Sequence, residues 1–97
     1  MENIKYQIFK YPLPFDDEVT ISAKQGKILN IIDQNGVPTL YIKHDIEDPE
    51  ERFDYKILIL GTGHIRKIPD EFTYLTTLTF LESKLVFHFF VKAPDFN

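Results

Sequence analysis

The chain has no cysteine, no tryptophan, two alanines, four glycines and a single methionine at its first position. Without cysteine there is no disulfide, no thiolate nucleophile and no cysteine-ligated zinc or iron–sulfur centre. The shortage of alanine removes the strongest helix former. No apolar run approaches the ~20 residues that a membrane-spanning helix needs, and Met1-Glu2-Asn3-Ile4-Lys5-Tyr6 contains no apolar signal region. A cytoplasmic protein away from membranes is therefore expected. Basic charge is also scarce: 11 Lys and Arg stand against 15 Asp and Glu, a net −4. That balance argues against binding a nucleic-acid polymer, which usually takes a basic surface, and it is too mild to suggest DNA mimicry. Serine occurs only at Ser22 and Ser83, neither in a nucleophile elbow.

What remains is rich in Ile, Phe and Tyr, residues that suit a pleated, half-buried surface. The expected fold is all-β: a single domain over residues 1–97, an antiparallel sandwich or partly closed barrel of about seven strands. The first strand, Lys5 to Tyr11, stops at Pro12-Leu13-Pro14, and a second covers Glu18 to Ala23. Asn35-Gly36 predicts a type I′ hairpin, placing Asp33 opposite Pro38, Ile31 opposite Leu40 and Leu29 opposite Ile42. Pro38 then falls at a non-hydrogen-bonded position, and the outer side of its strand is expected to be unpaired there. Asp45 to Arg52 reads as an acidic connection with room for one helical turn, capped by Asp48 with Pro49 first. A fifth strand spans Phe53 to Leu60.

A closing hairpin turns at Glu82-Ser83, setting Phe80 opposite Leu85, Leu78 opposite Phe87, Thr76 opposite Phe89 and Tyr74 opposite Val91. One of its faces is almost wholly apolar. The other mixes Leu75, Thr77 and Thr79 with Val86, His88 and Phe90. That face fits either a second packed layer or a subunit interface with a pocket.

The segment Gly61-Thr62-Gly63-His64-Ile65-Arg66-Lys67-Ile68-Pro69 holds two glycines, a histidine and two cations in an acidic chain. Two readings are open: a nest of backbone N–H groups receiving an anion, or a loop that bends sharply after a central strand. It has neither the spacing of a P-loop nor that of a dinucleotide fingerprint. His44, His64 and His88 lie on separate elements with no paired ligand spacing, so no metal is expected. The carboxylates between Asp45 and Glu51 read as a solvated run. Among the aromatics, Tyr11 and Tyr41 have the best claim to exposure.

Four segments occur in order from about Tyr6 to Val91: Phe9-Lys10-Tyr11-Pro12-Leu13; Ile28-Leu29 with Gln34-Asn35-Gly36-Val37-Pro38 and Leu40-Tyr41; Gly61-Thr62-Gly63-His64 with Ile68-Pro69; and Leu85-Val86-Phe87-His88-Phe89-Phe90. In this combination the chain resembles a family of small uncharacterised proteins of bacteriophages and bacterial genomes. It departs from the family pattern at Arg66-Lys67 and at Thr76-Thr77, where a Gly-Thr is expected. The resemblance implies a compact β-domain and a phage or prophage setting. It assigns no activity, and His64 and His88 carry over as motif positions only.

No nucleophile, metal set or acid–base pair stands out, so a non-enzymatic protein without a cofactor is expected. In one reading, a phage protein in the host cytoplasm counters bacterial immunity by sequestering a small nucleotide-derived signal at an oligomer interface. Gly61, Thr62, Gly63, His64, Arg66 and Lys67 would hold the phosphorylated ligand, with His88, Tyr11 and Tyr41 completing the site. In the other, it is an inhibitor or adaptor that acts directly on a host defence protein through the acidic 45–54 region or a sheet edge. A homo-oligomer is expected in either case, because the aromatic content exceeds what a lone sandwich needs.

Overall fold

The computed structural model describes residues 4–47 and 49–96, with no helix among them. Seven strands follow in order: β1 (Tyr6–Pro12), β2 (Glu18–Lys24), β3 (Gly26–Gln34), β4 (Val37–Asp45), β5 (Arg52–Gly61), β6 (Thr73–Phe80) and β7 (Leu85–Lys92). They form two antiparallel sheets, one ordered β1-β4-β3 and the other β2-β5-β7-β6. The sheets pack face to face as an open sandwich, so the all-β expectation holds and the barrel alternative does not. The capping residue of the expected helical turn, Asp48, lies outside the described residues.

The core is filled by the inward residues of both sheets, with Ile31, Leu40 and Ile42 from one and Tyr55, Ile57 and Phe89 from the other, all wholly buried. Phe15 stands against Phe80 and Phe87 with ring centroids 5.2 and 5.5 Å away. Phe96 meets Phe53 and Tyr55 at 5.1 and 6.2 Å. Offset and edge-on arrangements of this kind are the favourable ones for aromatic pairs.

The Asn35-Gly36 turn is as predicted, with φ of 54° and 85°. Asp33 tightens it by accepting the Gly36 N–H at 2.7 Å. Ile31 pairs with Leu40 and Asp33 with Pro38, but a bulge at Leu29 then places Ile28, not Leu29, opposite Ile42. Leu29 is left 41% exposed while Ile28 packs on the core. Two adjacent apolar residues offer the core alternative occupants, and the bulge selects between them.

β4 differs from expectation in being central. β1 pairs along it as far as Pro12 opposite Thr39. At Pro38 only an acceptor is needed, and its carbonyl takes the Leu13 N–H at 2.9 Å.

The closing hairpin keeps the predicted register from Phe80–Leu85 to Thr76–Phe89 and then bulges at Leu75. Tyr74 therefore pairs with Phe90, and Thr73 with Val91. The bulge turns Leu75 against the core and puts Tyr74 outside, its ring 5.7 Å from that of Phe90. The turn itself is wider than two residues, with Leu81, Glu82 and Ser83 all at positive φ.

Two connections position the rest. Between β2 and β3 the chain changes sheets through Gln25 alone. Tyr55 donates its hydroxyl to the Lys24 carbonyl at 2.7 Å, and His44 Nδ1 lies 2.9 Å from the Gln25 carbonyl. Gly26 sits so close to β4 that a Cβ there would lie 2.7 Å from the Lys43 carbonyl oxygen and from His44 Nδ1.

The second connection joins β5 to β6, which run parallel on either side of β7. Residues 62–72 must therefore travel back along the sheet. Leu58 is 1% exposed yet stands apart from the main core cluster. Its side chain lies on the outer face, and the returning segment, with Ile68, Pro69 and Phe72 half-buried, is what topology leaves to cover it.

The two structural glycines should respond differently to alanine. At Gly36 nothing lies within 4 Å and only the positive φ is at stake, so Gly36→Ala should cost roughly 1–2 kcal/mol. Gly26→Ala forces a Cβ against backbone and should cost about 3 kcal/mol or more. Urea denaturation of both variants measures the order, and equal losses would contradict the close approach at Gly26.

Candidate functional site

β5 ends at Gly61 because the chain turns there. His64 N–H donates to the Gly61 carbonyl at 3.1 Å, and Gly63 has φ of 87°. A four-residue turn with positive φ only at its third position has the signature of type II, which calls for glycine there. Gly61 has a different role. A Cβ on it would lie 3.0 Å from the His64 ring, which packs over this bare position.

The turn directs Thr62 to the outer face of the four-stranded sheet. Its N–H donates to the Val86 carbonyl at 3.0 Å, and its Oγ1 lies 2.8 Å from His88 Nε2. The other nitrogen of that ring, Nδ1, is 2.9 Å from Thr77 Oγ1, which is in turn 2.7 Å from the Tyr74 hydroxyl. Four side chains from two strands, β6 and β7, and a loop thus form one chain of hydrogen bonds. A neutral histidine has one donor and one acceptor nitrogen, so the chain has two possible polarities. Protons run from Tyr74 toward Thr62, or from Thr62 toward Tyr74.

Beside this chain of bonds lies a groove of about 310 Å³, lined by Gly61, Thr62, His64, Lys84, Leu85, Val86 and Phe87. Its ionisable groups are Lys84 and His64, and no carboxylate lines it. In a chain of net charge −4 such a groove favours an anion. Two of the successive amides that a nest would use, those of Thr62 and His64, are already bonded to carbonyls. Side chains and the Gly63 amide are left for any anion.

The other expected site residues are dispersed. Arg66 does not line the groove. It turns to the start of β2, with Nη2 3.7 Å from Glu18 Oε2 and Nη1 3.5 Å from the Asp17 carbonyl. There it anchors the returning 62–72 segment. Lys67 is exposed and does not line the groove either. Tyr41 belongs to the other sheet and donates to Gln34 Oε1 at 2.6 Å.

Tyr11, also on that sheet, has its hydroxyl 2.9 Å from His44 Nε2. The Gln25 carbonyl can only accept, so Nδ1 of His44 carries the ring proton and Nε2 accepts from Tyr11. Burial raises the Tyr11 phenol above its ordinary 10.0, with the Arg52 charge pulling the other way.

The hairpin register already set Thr77 opposite His88, whereas Lys84 and Tyr74 escaped the sequence reading as site residues. Lys84 sits in a turn with no motif around it, and the Leu75 bulge that brings Tyr74 to this face breaks the alternation.

The arrangement is that of a small antiparallel β-sandwich with an anion-compatible groove at one end of its larger sheet. The chain belongs to the DUF7352 family, described as a domain of unknown function, whose model matches residues 4–97. No curated protein and no solved structure matches it.

Gly63→Ala should cost roughly 1–2 kcal/mol from its φ alone and should loosen Thr62 from His88, visible as a shift of the His88 ring resonances. An unmoved ring would separate the turn from the bonded chain. Tyr11 gives a pH test. Because the folded state raises its phenol, its contribution is intact below about pH 10 and falls as pH rises beyond that. Tyr11→Phe should be less stable at pH 7 by about 0.5–1.5 kcal/mol through the lost bond to His44, and the gap should narrow at alkaline pH. A pH-independent gap would contradict the assigned burial.

Proposed function

We propose that this domain is a non-enzymatic binding module that takes a small phosphorylated ligand, of nucleotide size, in the groove between the Gly61–His64 turn and Lys84. The observation that carries this reading is the Thr62–His88 bond at 2.8 Å, which joins two distant sequence motifs at a groove whose lining has a lysine and a histidine but no acid. The volume of about 310 Å³ lies at the lower end of the range for small-molecule sites, roughly 300–1,000 Å³.

The bonded chain also gives a means of recognition. An anion at Thr62 favours the polarity in which His88 donates to the threonine oxygen, which frees the threonine hydrogen for the ligand. Lys84 supplies the charge, His64 a ring donor, and Phe87 an apolar wall. Both nitrogens of His88 are occupied by hydroxyls, an arrangement suited to holding a ring in place rather than to moving protons. In the phage setting that the sequence resemblance implies, such a module would sequester a nucleotide-derived signal of bacterial immunity.

Calorimetry against linear and cyclic nucleotides tests the proposal. Binding should weaken about tenfold or more in Lys84→Ala and in Thr62→Val, because each removes one contact to a charged group. It should be unaffected in Lys67→Ala. No heat from any nucleotide with folded protein, or a loss confined to Lys67→Ala, would reject the groove.

A further inference from the structure

The three-stranded sheet ends on β1, an edge that exposes a row of large apolar side chains. Ile4, Tyr6 and Ile8 alternate onto one face and are 50, 52 and 57% exposed, and Phe9 on the other face is 43% exposed. Edge strands are normally guarded by bulges, charges or proline. β3 has its bulge at Leu29 and β6 its bulge at Leu75, while β2 turns Thr20 and Ser22 outward. β1 has no bulge, meets no proline before Pro12 and carries a single charge, Lys10.

The direction of its free backbone groups follows from two bonds. Ile46 N–H donates to the Lys5 carbonyl at 3.1 Å, and Leu13 N–H donates to the Pro38 carbonyl at 2.9 Å. In the observed register both fall on the same alternation, so the odd-numbered residues of β1 bond to β4. The N–H and C=O groups of Tyr6, Ile8 and Lys10 therefore point away from the sheet. Among the described residues nothing receives them.

We propose that β1 pairs antiparallel with β1 of a second copy of this chain, about a twofold axis at Ile8, joining two three-stranded sheets into one. In this register Ile8 faces the partner's Ile8, and Tyr6 faces the partner's Lys10. Each such pair exchanges two N–H···O=C bonds. At the ladder's end Ile4 meets the partner's Pro12, whose carbonyl can accept the Ile4 N–H but which has no N–H to return, so the ladder stops there.

The side chains match as well. The Tyr6 ring already takes the Lys43 ammonium 4.4 Å from its centroid, and the partner's Lys10 arrives beside Tyr6 with its apolar stem along the ring and its ammonium reaching to water. Lys10 and the partner's Lys10 lie four residues apart along the ladder, roughly 14 Å, beyond the ~8 Å screening length at physiological salt. A strand that satisfies its own edge in this way identifies a second copy as the occupant. The axis lies on the other sheet from the Thr62–His88 groove, so pairing neither uses nor covers that site.

Sedimentation of the full chain over a concentration series, with amide exchange read at both ends of it, tests the pairing. The wild type should reach a dimer, and the amides of Tyr6, Ile8 and Lys10 should exchange about tenfold or more slowly at high concentration than after dilution. Ile8→Lys sets like charges face to face at the axis and should weaken association about tenfold or more, with circular dichroism unchanged. Thr20→Lys on the β2 edge should leave association intact. A wild type that remains monomeric, a dimer that survives Ile8→Lys, or a dimer whose three edge amides exchange as fast as in the monomer would each overturn the proposal. The amide measurement needs no variant. Capture of a different protein's strand by β1 in a monomeric wild type would likewise overturn the assignment of a second copy.

Discussion

Between Lys24 and Gly26 the chain leaves one sheet and enters the other with only Gln25 to make the change. So abrupt a passage exposes backbone carbonyls that no ladder can satisfy, and buried carbonyls must find partners. Here the partners are side chains. Tyr55 reaches the Lys24 carbonyl and His44 the Gln25 carbonyl. The same imidazole is held from its other nitrogen by Tyr11, so β1, β2, β4 and β5 converge on one short link. Gly26 is the condition for this convergence, since a side chain there would enter the space of His44 and of the Lys43 carbonyl. The face-to-face packing of Ile31, Leu40 and Ile42 on Tyr55, Ile57 and Phe89 relies on that link holding the sheets in register.

The groove depends on a different constraint, the return of residues 62–72 between two parallel strands. Arg66, held at Asp17 and Glu18 of the β2 edge, anchors the returning segment on one side, and Thr62 fastens its start to Val86 and His88 on the other. The cations around the groove consequently have separate roles. Arg66 is tied to the Glu18 carboxylate and the Asp17 main-chain carbonyl, whereas Lys84, from the neighbouring turn, provides the groove's fixed positive charge.

What could be read from the sequence was local. Asn35-Gly36 and the alternation around it placed Ile31 opposite Leu40, and the Phe80–Leu85 pairing followed from the same reasoning. The pattern failed at Leu29 and Leu75, where two apolar neighbours compete for one inward position and packing across the sandwich decides between them. The candidate site was legible only in part for the same reason. Gly61 to His64 stood out as a segment, and His88 as a motif position. That Thr62 would meet His88 depends on β5 and β7 being neighbours, and that Arg66 would turn to Glu18 depends on the β2–β5 pairing. Neither is encoded within a short window. Tyr11 and Tyr41 were chosen for expected exposure, yet they sit on the opposite sheet from the groove, each with its hydroxyl already engaged.

The strand order has a consequence in time. β7 lies between β5 and β6 although it follows both in the chain. In a nascent chain that reaches only Ser83, β5 and β6 lack the strand to which both pair. The inward faces of Ile57 and Ile59 then lack the Phe89 and Val91 that pair with them. The larger sheet cannot close progressively during translation; it closes when residues 85–92 arrive and slide into place, and the Thr62–His88 contact forms in that same event. Until then the chain presents unpaired apolar edges to its surroundings, and its vulnerability to aggregation is concentrated in the interval before β7 joins the sheet.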